Sequence, residues 1–118
     1  GIEARLIEAE AAASADDAQT VANIHNELRA AMGLSELDLS GISGEDLLLA
    51  HFSERAFWLF STGHRLGDLR RLVDVYDMMP SSVFPWGPYF KGGEYNPNLK
   101  FLVPQSESNN PNYVGCLD

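Results

Sequence analysis

Residues 54 to 71, ERAFWLFSTGHRLGDLRR, carry four of the chain's eight basic residues among its most apolar positions. Glu54, Arg55, His64, Arg65, Asp68 and Arg71 are the side chains here that could do chemistry. His64 and Asp68 are four residues apart, so on a helix they share a face and can touch. That spacing can hold two metal ligands, but no third ligand is evident and arginines crowd the position, so no metal is expected. No serine or cysteine stands in the strand–turn–helix context of a nucleophile. The economical reading is a cluster of cross-helix ion pairs, with Glu54 and Asp68 set against Arg55, Arg65 and one of Arg70 or Arg71. Planar guanidinium groups suit tight pairing with carboxylates. Such a cluster would fix how two helices cross.

The elements that must position these residues are helical. Residues 2 to 14 place Ile2, Leu6, Ala9 and Ala13 on one face. Asp16 or Asp17 can cap a second helix that runs to about Met32, with Val21, Ile24, Leu28 and Met32 or Ala31 as its buried stripe, and Gly33 as its stop. So short a join predicts an antiparallel hairpin. Residues 34 to 42 read as a loop. Ser43 is expected to cap a third helix, with Asp46 completing a capping box. That helix, apolar around much of its circumference, is expected to lie centrally in the core and to end at Gly63. A fourth helix is predicted from His64 to about Tyr76. The fold class is therefore mainly α: a helical hairpin, a second helix pair, and a tail with at most a short strand.

The tail is set apart by composition. All six prolines and seven of the twelve aromatics lie in residues 80 to 118. Proline removes donors from a helix, while disordered tails are poor in aromatics, so the expectation is an irregular but packed segment. Residues 101 to 103, before Pro104, could form a short strand. The chain reads as one domain of 118 residues, helical over 1 to 79 and irregular over 80 to 118.

Charge narrows the function classes. Seventeen acids against eight bases give a net charge of −9. A phosphate-backbone binder needs a basic face, so nucleic acid is not an expected partner. The acids concentrate in residues 1 to 50, most simply as a solvated face. The single Cys116 rules out an intrachain disulfide. His25 and His51 stand isolated in the sequence and read as surface or satisfied histidines rather than ligands. Gly1-Ile2-Glu3 enters a helix without a capping side chain, which is expected of a piece cut from a longer protein.

ERAFWLFSTGHRLGDLRRL resembles the Glu-Arg…Gly-His-Arg…Asp-Leu-x-Arg signature of the SusD/RagB family, at Glu54, Arg55, Gly63, His64, Arg65, Asp68, Leu69 and Arg71. EARLIEAEAAAS at 3 to 14 with NELRAAMGL at 26 to 34 is similar to the helix pair upstream of that signature. FLVPQSESNNPNY at 101 to 113 is similar to the family's closing segment. The chain departs from many members at Leu66-Gly67, where they carry bulky aromatics. The resemblance implies the C-terminal fragment of a lipoprotein on the outer membrane surface of Bacteroidota and related bacteria, with tetratricopeptide-like helix pairs. It implies no catalysis and no cofactor. Its implied role is to bind an oligosaccharide or peptide and deliver it to a TonB-dependent transporter. The lipid anchor would lie in an N-terminal region absent from this chain.

Sugars are held by stacking on aromatic rings, with amides and carboxylates taking the hydroxyls. Trp86, Tyr89 and Tyr95, with Glu94, Asn96 and Asn98 nearby, are the candidate ligand-binding residues. The competing expectation is that these rings cover the helical core. A free-standing helical protein–protein interaction module is the alternative to the nutrient-binding reading.

Overall fold

The computed structural model describes residues 1–95 and 109–112. The fold is mainly helical, with no strand among the described residues. Five helices run in order: α1 (Ile2–Ser14), α2 (Ala18–Ala31), α3 (Gly44–Trp58), α4 (Arg65–Asp74) and α5 (Pro80–Val83). The chain divides into two compact units, Gly1–Met78 and Met79–Asp118. The expected strand at 101 to 103, Asn96, Asn98 and Cys116 lie outside the described residues, as does most of the closing segment.

In the first unit, α1 is rich in alanine, the best helix former. It lies against both α2 and α3. Leu6, Ala9 and Ala13 are buried on its inner face, and Ile2 is exposed. Asp17 caps α2: its carboxylate accepts from the Thr20 amide at 3.0 Å and from the Thr20 hydroxyl at 2.6 Å. The α1–α2 hairpin is closed by this three-residue join. Val21 and Ile24 are buried as expected of the α2 stripe. The stripe stops short of its expected end, because Met32 lies past the helix and is exposed.

The segment between α2 and α3 is a pinned loop. The Asn26 side chain pairs with Leu37 as a backbone would, donating to its carbonyl at 3.0 Å and accepting from its amide at 2.7 Å. Arg29 Nε donates to the Ser35 carbonyl at 2.7 Å. These bonds hold Leu39 in a core formed with Ala13, Val21 and Leu47.

The start of α3 departs from expectation. Ser43 occupies the cap position but makes no side-chain capping bond. Asp16, in the α1–α2 turn, takes its place by accepting from the Gly44 amide at 2.6 Å. The orphan donor at the helix start is thus satisfied from a distant part of the chain. The end differs too. Regular helix stops at Trp58, before Gly63, and residues 59 to 63 form turns. The Thr62 amide and hydroxyl both return to the Leu59 carbonyl, competing with helix propagation. Ser61 (φ 65°) and Gly63 (φ 84°) then reverse the chain into α4. Consequently α3 is not wholly a core helix: Leu47 and Phe52 are buried, while Phe57 near its end and Phe60 beyond it are exposed.

The second unit is not free of helix, since α5 forms one short turn of four residues. Pro80 stands at its first turn, where a missing amide costs nothing.

Candidate functional site

Three groupings of chemistry-bearing side chains emerge. The first is the signature between α3 and α4. Arg55 Nε donates to both oxygens of Asp68, at 3.0 and 2.9 Å. Arg71 joins the same carboxylate at 3.7 Å and also binds Glu10 of α1. The Tyr76 hydroxyl donates to Glu10 at 2.8 Å. Glu54 accepts from Arg29 of α2 at 2.8 Å, and Arg5 of α1 bridges to Glu27 of α2. Charged pairs therefore connect α1 with α2, α2 with α3, α3 with α4 and α4 with α1.

This network corrects the expected one in three places. Glu54 pairs with Arg29, on the neighbouring helix, rather than with Arg55 or Arg65. Arg65 is exposed and makes no ion pair or hydrogen bond among the described residues. It stands three residues before Asp68 on the same helix, but that carboxylate is taken by Arg55 and Arg71. The His64 ring does not meet Asp68. It contacts the Thr62 hydroxyl at 2.7 Å and Glu3 of α1 at 3.2 Å. Asp68 faces inward, where two guanidinium groups saturate it, while His64 is only half-buried at the helix cap. Sequence reasoning missed Glu10 and Arg29. For Glu10 a signal existed, because it follows Leu6 by four positions and precedes Ala13 by three, and so shares their buried face.

The second grouping is a histidine pair. His25 of α2 and His51 of α3 are fully buried, with His25 Nε2 and His51 Nδ1 at 3.1 Å. They are neither isolated nor on the surface. Their outer nitrogens, His25 Nδ1 and His51 Nε2, have no partner among the described residues. Burial holds the His25 pKa below the usual histidine range, with Arg29 acting in the same direction and Glu54 opposing. Burial, together with His25 and Arg55, pushes His51 down to about 3. Both rings are therefore neutral at physiological pH, and one proton serves the contact between them. Among the described residues no group of three or more His, Cys, Asp or Glu side chains could hold a metal ion.

The third grouping is in the second unit. The chain doubles back between Pro88 and Glu94, which form an isolated antiparallel bridge. The Tyr89 amide donates to the Gly93 carbonyl at 2.8 Å and the Tyr95 amide to the Gly87 carbonyl at 2.9 Å. Gly92 and Gly93 take φ of 94° and 86°, which side chains with a Cβ rarely adopt, so the reversal depends on glycine there. It brings Tyr89 and Tyr95 edge to face at 5.3 Å. Phe90, not anticipated, also meets Tyr89 at 4.7 Å and is exposed. Trp86 is half-exposed and makes no ring contact with either tyrosine among the described residues. The reversal thus unites two of the three candidate ligand residues and leaves the third beside them in sequence only.

No family model, no curated protein and no solved structure matches this chain.

Proposed function

We propose that this chain is part of a non-catalytic nutrient-binding protein of the SusD/RagB type, acting at the cell surface and delivering a glycan or peptide to a TonB-dependent transporter. The reading is supported first by the order and residues of the signature at Glu54–Arg71. In that signature Arg55, Arg71 and Asp68 are consumed by pairing with one another and with Glu10, so they act as scaffold. The observation that carries the ligand-binding part is the glycine-dependent reversal at 87 to 95. It presents Tyr89 and Tyr95 together, with Phe90 and Trp86 exposed and Glu94 in between. Aromatic faces with a nearby carboxylate are what a sugar's apolar face and hydroxyls require.

The test is an NMR titration of the chain with maltohexaose, xylohexaose and cellohexaose. At least one should shift amides within residues 84 to 95, and Tyr89→Ala with Tyr95→Ala should weaken it by about tenfold or more. Absence of shifts in that segment with all three sugars would remove the assignment of the glycan to the tail.

A further inference from the structure

We propose that the end of α3 and the start of α4 form a docking surface for a segment of another protein that carries two large apolar side chains and a carboxylate. Two clefts meet here. One, of about 510 Å3, is walled by Ala56, Phe57, Leu59 and Phe60, with Arg65 on its lining. The other, of about 400 Å3, is walled by Met32, Leu34, Phe57 and Trp58. Phe57 lines both and forms the ridge between them. The apolar groups around the ridge are open to water: Phe57 is 76% exposed, Phe60 83%, Met32 67% and Leu34 51%. Single exposed apolar residues need no explanation, but a contiguous group around concave sites marks an interaction surface.

Charge selects the occupant. The acids on the cleft linings are already matched: Asp68 by Arg55 and Arg71, and Glu54 by Arg29. Arg65 has no such partner among the described residues. The lining of the first cleft therefore carries one uncompensated positive charge, on a chain whose net charge is −9. One free guanidinium suits a single carboxylate, which it can grip through two parallel bonds, and is too little for a polyanion. Two clefts on either side of one ridge call for two anchors on a connected chain, which a protein segment supplies. These residues are separate from those of the tail, so the inference stands apart from the assignment of a glycan to the tail.

The experiment selects displayed 12-residue peptides on the immobilised 118-residue chain, then measures synthetic versions by fluorescence polarisation. Enriched peptides should share two large apolar residues and an Asp or Glu. Phe57→Ser should weaken them at least about tenfold. Arg65→Glu should weaken them comparably, and replacing the peptide's acid by Lys should restore binding to that variant. Both side chains are exposed, so circular dichroism melts of the two variants should match the parent. The proposal is overturned if selection yields no common pattern, if Arg65→Glu is tolerated, or if the charge exchange gives no rescue. It is equally overturned if sedimentation shows the chain dimerising through Phe57, since the face would then belong to a second copy.

Discussion

Arg55 reaches across from α3 to place its Nε between the two carboxylate oxygens of Asp68 on α4, and neither side chain is more than 5% exposed. Two opposite charges have left water together, and each is tolerable only because of the other. The arrangement is not fully satisfied: Arg55 Nη1 has no partner among the described residues. Replacing both members by apolar residues is therefore expected to cost far less than removing one of them.

Removing one member should accordingly be costly. Asp68→Ala is expected to destabilise the chain by about 3 to 5 kcal/mol, because it leaves Arg55 buried and charged. The double change Arg55→Met with Asp68→Leu should cost markedly less than the sum of the two single changes. Urea denaturation of the four proteins measures this. Additive losses would mean that the two groups do not depend on each other.

The histidine pair makes stability depend on pH. Folded His51 has a pKa of about 3, below the ordinary 6.5, and His25 is lowered in the same direction. Between those values the unfolded chain binds more protons than the folded one, so stability rises with pH and falls as pH drops below about 6.5. Each pH unit in that window is worth about 1.4 kcal/mol for His51, which alone should make the chain about 2 kcal/mol less stable at pH 5 than at pH 7.5. Arg29 and Arg55 oppose a new positive charge there, and Glu54 favours it. The His51→Gln variant should show a shallower decline over the same range. An equal decline in that variant would trace the effect to the carboxylates instead.

The cap of α3 is borrowed from the α1–α2 turn, and mutation should reveal it. Asp16→Gly keeps a residue suited to the positive φ of 59° but removes the acceptor of the Gly44 amide. A loss of about 1 kcal/mol is expected, while Ser43→Ala should have little effect. Thermal unfolding of the two variants separates the sites. The reverse ranking would restore Ser43 as the working cap.

Much of the helical skeleton was legible in the sequence. The inner face of α1 at Leu6, Ala9 and Ala13, an aspartate cap of α2 at Asp16 or Asp17 and the turns near Gly33 follow from local periodicity and capping chemistry, which act over a few residues. That Arg55 and Asp68 belong to one cluster of cross-helix ion pairs was also expected, because a buried guanidinium within an apolar helix demands a carboxylate. What local reasoning could not supply was the choice among partners. Glu54 had several arginines within plausible reach, and only the approach of α2 to α3 selected Arg29. Arg65, counted among the paired residues, makes no ion pair among the described residues, because Arg55 and Arg71 occupy Asp68.

The sequence alone determined that this chain is mainly helical, that its arginine-rich stretch is framed by carboxylates, and that its aromatics gather in a proline-rich tail. These follow from composition and from spacings of three and four residues. Tertiary structure alone decided that His25 and His51, 26 positions apart, touch out of water, and that Asp16 caps a helix 28 positions away. It also left Phe57 and Phe60 exposed beside Arg65. Contacts between distant residues depend on how helices cross, and that geometry is set by the packing of whole faces against one another.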